Sequence, residues 1–561
     1  MMNKLFLKII FAALVILFQP ELMFSLTQVA VGDTTGRVGS RFTVDVNNFK
    51  LPITNTGVTA SFTQGGSGRL GEDYVLFSGG FALAGKIENE IWASNVFDVF
   101  ILKDYLPGIL NDTTAHSKEL YVVRKSDPPF GKSWQDWSDA VKFGANFYDG
   151  DLDGVYNPID KNRNGIWDLD EDMPYLLGDI TVWCVYNDSE QNRRWTDTFP
   201  MGIEIQQTVF ASNESHLQNT IFIMYSIINR GLITDSLINT YFSIWADPDI
   251  GVYDDDLTGS DTAIFSGYAY NSGVDLEIGD RPPALFFTFL QGPMVQDTTQ
   301  GGFQFRAINN FGFYYGTYLY EGYRNLKPSS FQNFIHFMGF RTFENKHTLY
   351  NRMLGLRPLE GIPVDPCNFN TGIVVPDTLC DKVNPYFFFS GDPVTGYGWI
   401  NNRSTDQVIY LNIGPFNLYK DQPQHIIVAY TGAKGDSPLN SITAGKEIVR
   451  NVIQEYSNNF PSLTYIPGEP TYVIDDYELF QNYPNPFNPS TTIRYDLLED
   501  GLVTLKVFDI LGQEVKTLIN SFQPARRYEV QLNSEGLASG VYIYRLRVND
   551  FSQSKKMIIL K

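Results

Sequence analysis

Three cysteines and five histidines in 561 residues leave little material for thiol or imidazole chemistry. None of His116, His216, His336, His347 and His425 stands in HExxH spacing or beside a cysteine, which excludes the common zinc-hydrolase patterns. GxSxG, Walker and GxGxxG sequences are missing as well. Gly66-Ser67-Gly68 lies in a glycine-rich turn with no helical pattern behind it, so it scores neither as a phosphate loop nor as a nucleophile elbow. Gly435-Asp436-Ser437 opens like a GDS-type esterase block, but no Asp-x-x-His follows to supply a base, and Ser437 reads as a helix cap before Pro438. Basic charge is scarce too. Against 63 acidic residues stand 42 Lys and Arg, and the net charge of -21 opposes phosphate backbones and anionic membrane surfaces; nucleic acid is set aside. Beyond the N-terminus no apolar run approaches the roughly 18 residues a membrane helix needs, so no transmembrane segment is expected in the mature chain.

Aromatic residues are abundant instead: 32 Tyr and 42 Phe favour strands over helices, so the fold class expected is mainly β, a β-sandwich-rich multidomain body with a few short helices. Met1 to Ser25 carries Lys4 and Lys8, an apolar run from Ile9 to Phe18, then Pro20 and the small Ser25, the pattern of a secretory signal peptide. Residues 26–200 form an N-terminal β-rich region. In it Trp134, Trp137, Ala140 and Val141 recur at helical spacing. Residues 201–460 read as a β-sandwich-like region with an aromatic-rich core and a C-terminal helix. MGIEIQQTVFA alternates as a half-buried strand would, with Ile203, Ile205 and Val209 on one face. NTIFIMYSIINRG is apolar at both parities, as a central strand would be. Phe331, Phe334, Phe337, Phe340 and Phe343 recur at intervals of three and read as core. In the final helix Ile448, Val449, Val452, Ile453 and Tyr456 make one apolar stripe. Three prolines and a glycine in 461–476 mark a linker.

Cys367 and Cys380 bracket a loop that a disulfide could close, and Cys184, among apolar strand residues, reads as a buried thiol. The sharpest chemistry lies in 149–172, DGDLDGVYNPIDKNRNGIWDLDED. Counted from Asp149, carboxylates fall at loop positions one, three and five (Asp149, Asp151, Asp153), glycine at six and Asp160 at twelve. Counted from Asp160, Asn162, Asn164, Gly165, Asp168 and Glu171 complete the same template. This is the oxygen-ligand spacing of an EF-hand-type calcium loop, with the carbonyls of Val155 and Ile166 at position seven and Asp160 serving both loops. Eight acidic residues face only Lys161 and Arg163 there, and they repel unless a cation intervenes. No amphipathic helices flank the segment, and it resembles the tandem Asp-rich loops of thrombospondin type 3 repeats, which implies calcium as a cofactor that holds shape. A second cluster, Asp247, Asp249, Asp254, Asp255, Asp256 and Asp261, fits no single loop consensus. A cation site, a solvated turn and a paired-carboxylate glycosidase site all remain open for it.

From Tyr477 to Lys561 short alternating runs separated by turn residues form the pattern of a small all-β sandwich, with Ile493, Tyr495 and Leu497 on one face and Val503, Leu505 and Val507 on another. NYPNPFNPSTTI, VFDILGQEV, LASGVYIYRL and KKMIILK follow in an order that resembles the type A C-terminal sorting domain of type IX secretion cargo. Ala525, Arg526 and Tyr528 stand where that family usually has Ala-Gly and His, and Leu532 where it usually has Trp. The resemblance implies an immunoglobulin-like sandwich read by the outer-membrane machinery of Bacteroidetes and their relatives, and often removed by a sortase-like protease. It implies the type IX machinery as partner and the extracellular space or the outer-membrane surface, via the periplasm, as destination. The function expected is a calcium-stabilised structural or binding protein, its body meeting an extracellular glycan or protein. The alternative is a secreted hydrolase, such as a glycoside hydrolase, with acidic residues from dispersed loops.

Overall fold

Strands that are apolar at both parities need cover on both faces, and that requirement organises the body. The computed structural model describes residues 36–560 apart from 62–65, 98–103, 113, 193, 195–196, 298–305, 336–344, 465–475, 500 and 524–526. The signal peptide at 1–25, most of the 461–476 linker, and Phe337, Phe340, Phe343, Ala525 and Arg526 lie outside the described residues. The molecule is mainly β, 46% strand against 12% helix, as the aromatic and β-branched composition requires.

The long strands of the body are β1 (Ser78–Ile87), β2 (Ile180–Asn187), β3 (Ile203–Ala211), β4 (Thr220–Asn229), β5 (Ser236–Asp247), β6 (Ala284–Gln291), β7 (Gln407–Tyr419) and β8 (Gln424–Ala433). One antiparallel sheet runs Arg37–Val38, Leu120–Arg124, β2, β3, β4, β8, β6, Ser266–Tyr270, Leu257–Asp261. The other has β7, β5 and β1 at its centre, flanked by Pro328–Ile335 on one side and short N-terminal strands on the other. Their inner faces meet in one core. Phe81 and Phe242 from one sheet stack at 5.4 Å, and both touch Tyr225 of the other, at 5.4 and 5.3 Å. Both sheets draw strands from 26–200 and from 201–460, so these segments share one sandwich rather than forming successive regions.

Helices cover the outer faces. Helix α1 (Lys132–Lys142) buries Trp134, Trp137 and Ala140 against Tyr121, Trp183 and Val185. Helix α2 (Lys346–Met353), closed by an Asn345–Thr348 capping box, packs Leu349 and Met353 on Trp245 and Tyr410. Helix α3 (Pro438–Ser457) begins where Ser437 accepts the Asn440 N–H, as its Ser-Pro start predicts, and its Val449 and Val452 are buried. This cover corrects one expectation. β3 is buried on both faces, not half-buried, because its polar residues have partners: Glu204 takes a 2.6 Å hydrogen bond from Arg230, and Gln207 one of 2.8 Å from the Tyr186 hydroxyl. Cys184 on β2 is buried, and burial pushes its thiol well up, so it stays protonated.

The tail is a second antiparallel sandwich, with a sheet of Glu478–Leu479, Ser490–Asp496 and Arg527–Asn533 and another of Glu514–Gln523, Gly501–Phe508, Gly540–Val548 and Phe551–Ile559. Ile493, Tyr495, Leu497, Val503, Leu505 and Val507 all lie in its core, as their alternation predicts. Leu532 is buried there too, and Tyr528 stacks on Tyr495 at 5.2 Å, so both departures still serve the core. The hairpin after Phe508 turns on Asp509, whose carboxylate accepts the Leu511 and Gln513 N–H groups, and on Gly512 at φ +80°.

Candidate metal centre

The acidic segment leaves the body through a narrow neck, where Phe147 pairs with Pro174 and Tyr148 with Met173. Aromatic side chains fix it from below. The Tyr156 hydroxyl donates to the Trp134 carbonyl of α1 at 2.9 Å, Tyr148 to the Leu169 carbonyl at 3.0 Å, and Trp167 Nε1 to the Glu171 carbonyl at 2.9 Å. Trp167 is fully buried, with Tyr148 edge-on at 5.4 Å. The aromatic residues inside this charged sequence therefore act as anchors, Asp151 and Asp153 are exposed, and Glu171 and Asp172 are buried.

Between the anchors two loops repeat one backbone plan, eleven residues apart. In the first, the Asp149 carboxylate accepts the N–H groups of Asp153 (3.1 Å) and Gly154 (2.8 Å), and Asp153 accepts that of Val155 (2.7 Å). In the second, Asp160 accepts Asn164 (3.1 Å) and Gly165 (2.8 Å), and the Asn164 side chain accepts Ile166 (2.7 Å). Leu152 and Arg163 both take left-handed backbone, at φ 62° and 61°, and Gly154 and Gly165 do so at +78° and +77°. These turns point the side-chain oxygens of positions one, three and five inward. Carboxylate oxygens of Asp149, Asp151 and Asp153 lie within 4.8 Å of one another. Asn162 and Asn164 both donate to Asp168 Oδ2, at 2.6 and 3.0 Å, which gathers the second set.

Position twelve differs from the sequence reading. In the second loop Glu171 holds it, accepting the N–H groups of Lys161 (2.6 Å) and Asp168 (2.9 Å), loop positions two and nine. In the first loop the matching donors, Gly150 (3.1 Å) and Asn157 (2.6 Å), give their N–H groups to Asp172. Asp160 accepts N–H groups of its own loop, as Asp149 does in the first, and the position-twelve hydrogen bonds of the first loop go to Asp172. No local template finds Asp172, because it stands just before the return strand of the neck, Met173–Pro174. Gly150 is required where it stands, since a Cβ there would meet the Glu171 backbone at 2.3 Å. Val155 and Ile166 stand exposed at position seven.

Charge in the segment is poorly compensated. Lys161 Nζ lies 3.1 Å from Asp151, whose carboxyl it holds below the usual range. Burial pushes the Asp172 carboxyl up, against the pull of its two hydrogen bonds. The donors are all hard oxygens, the set that suits calcium. Elsewhere, Cys367 and Cys380 are joined as a disulfide with Cα atoms 5.7 Å apart. Of the second acidic cluster, Asp247 and Asp249 gather with Asp406, while Asp261 pairs instead with Lys446 at 3.0 Å.

Residues 481–560 match the family of the secretion system C-terminal sorting domain. No curated protein matches the chain. Among solved structures it is similar to a polysaccharide lyase, at 10% identity over 64% of this chain and 34% of that one, with a TM-score of 0.15. It is also similar to PorZ, a surface component of the type IX secretion system of Porphyromonas gingivalis, at 9% identity over 93% and 75% of the two chains, with a TM-score of 0.14. The chain thus spans 34% of the lyase's length, and at such TM-scores neither likeness bears on the fold of the body. The sorting domain does bear on destination. The chain is a type IX secretion cargo, its C-terminal domain interacting with that machinery and directing it through the periplasm to the cell surface or beyond.

Proposed function

We propose that the exported protein is a calcium-stabilised structural or binding protein whose 149–172 segment holds two calcium ions. Asp149, Asp151, Asp153, the Val155 carbonyl and Asp172 hold the first. Asp160, Asn162, Asn164, the Ile166 carbonyl, Asp168 and Glu171 hold the second. The observation that carries this reading is the repeated backbone plan, with a carboxylate closing positions two and nine of each loop. The role of the ions is mechanical: they neutralise the clustered carboxylates and fix the loops, which the neck and Trp167 couple to α1 and the body. An affinity of the extracellular kind, about 10⁻⁴ to 10⁻³ M, suits a protein that meets calcium outside the cell. At about a hundred times the dissociation constant each independent site adds roughly 2.7 kcal/mol to stability. Two sandwich layers buried on both sides suit a rigid extracellular scaffold, and an extracellular glycan or protein is the partner class for its surface.

Thermal unfolding of the full chain with calcium and with chelator, repeated for Asp160→Ala, tests the reading. The wild-type midpoint is expected to rise with calcium, and that of Asp160→Ala to rise less. A wild-type midpoint unmoved by chelator refutes it.

A further inference from the structure

The second acidic cluster is built differently from the first, because it is buried. Asp247 ends β5, Asp249 follows in the next turn, and Asp406 immediately precedes β7; carboxylate oxygens of the three lie within 4.8 Å of one another. Asp247 is 3% exposed and Asp406 1%, while Asp249 is partly exposed and leaves a way in from solvent. Three observations beyond this clustering point to a ligand. Asp256 is fully buried; its Oδ2 accepts the Ile250 N–H at 3.2 Å, and its Oδ1 has no hydrogen-bond partner. Its backbone carbonyl accepts the N–H of Thr405, the neighbour of Asp406, at 3.1 Å, and Ile250 is the neighbour of Asp249, which places it against the same cluster. Ser78 stands directly across from Asp247 in the β1–β5 register, so both side chains leave the same sheet face. Its hydroxyl is likewise buried without a partner. Buried oxygens left without donors are costly, and a cation removes that cost for Asp256 Oδ1 and the Ser78 hydroxyl together.

We propose that Asp247, Asp249, Asp256, Asp406 and the Ser78 hydroxyl form a further divalent-cation site of the calcium class. Its ligands are all hard oxygens, drawn from three chain segments at one end of the central strands. Its ion ties the β5 end and the turn after it to the start of β7, inside the body and independent of the 149–172 loops.

The test uses the full chain with its loops disabled by Asp149→Ala and Asp160→Ala. Equilibrium dialysis should still find one tightly held calcium ion per chain. Adding Asp406→Asn or Asp256→Asn, near-isosteric changes, should lower its affinity at least about tenfold. A second measurement removes no ligand. Trp245 lies two residues before Asp247 on the same face, so bound terbium should luminesce on tryptophan excitation, and Trp245→Phe should lose most of that signal. A loop-disabled chain that binds no calcium overturns the proposal. So does calcium affinity unchanged in both Asp→Asn variants, or terbium luminescence unchanged in Trp245→Phe.

Discussion

Asp172→Ala separates a closing carboxylate from an ordinary acidic neighbour. The side chain is 2% exposed and accepts two N–H groups, from Gly150 and Asn157. Hydrogen bonds to a charged group are worth about 1.5–3 kcal/mol each, but both donors lie near the surface, where water replaces part of the loss. Burial also disfavours the carboxylate itself, so removing it recovers some desolvation. Without calcium the net loss should be about 1–2 kcal/mol. With calcium at about a hundred times its dissociation constant, losing the first loop's ion adds roughly 2.7 kcal/mol, and the total becomes about 4 kcal/mol. Denaturant unfolding followed by tryptophan fluorescence measures both, because Trp167 is buried beside Glu171. Asp170→Ala is the control: it is an exposed carboxylate in the same acidic segment and should cost no more than about 0.5 kcal/mol. The reasoning is refuted if the two variants behave alike, or if Asp172→Ala loses the same amount with chelator as with calcium.

Other expectations can be checked separately. A non-reduced digest should contain a Cys367–Cys380 cross-linked peptide, and reduction should cost roughly 3 kcal/mol in the loop-entropy picture; two free thiols would contradict it. Burial, then the charges of Asp275 and Asp254, raise the Asp255 carboxyl to about 6. A raised folded-state value means its stabilising contribution is complete below the unfolded value and disappears as pH rises through about 6. In chelator, wild type should therefore gain stability relative to Asp255→Asn as pH falls from about 7 to about 5, and parallel profiles would show no such coupling. Deleting 477–561 should leave the body folded and held in the periplasm; normal yield of the truncated chain in the medium would deny the tail its sorting role.

Much of this was legible because the signal was local. The Ser437-Pro438 start of α3, the spacing of Trp134 and Trp137, the alternation in 493–507 and the glycines at 154 and 165 each act within a few residues of themselves. What depends on distant pairing was not legible. β4 pairs with β8 some two hundred residues on; β2 pairs with β3 across residue 200 and β5 with β1 far upstream, so a boundary drawn at 200 cuts through both sheets. The burial of Glu204 and Gln207 depends on Arg230 and Tyr186 arriving beside them. Asp172 and Asp406 are invisible to a twelve-residue loop template, since Asp172 lies twenty-three residues after the start of the loop it closes and Asp406 joins its cluster from another segment. Of the aspartates from 247 to 261, sequence could not say which would turn inward; that Asp256 does and Asp261 finds Lys446 is decided by the packing of the strands around them.

The central claim, that 149–172 is a two-ion calcium segment, is tested most directly by a crystal structure of the calcium-loaded full chain with anomalous scattering measured for the ion. One peak should stand about 2.3–2.6 Å from oxygens of Asp149, Asp151, Asp153 and Asp172, and another at the same distance from oxygens of Asp160, Asn162, Asn164 and Glu171. Loops in the same conformation with no peak at either position, in crystals grown at saturating calcium, would contradict it.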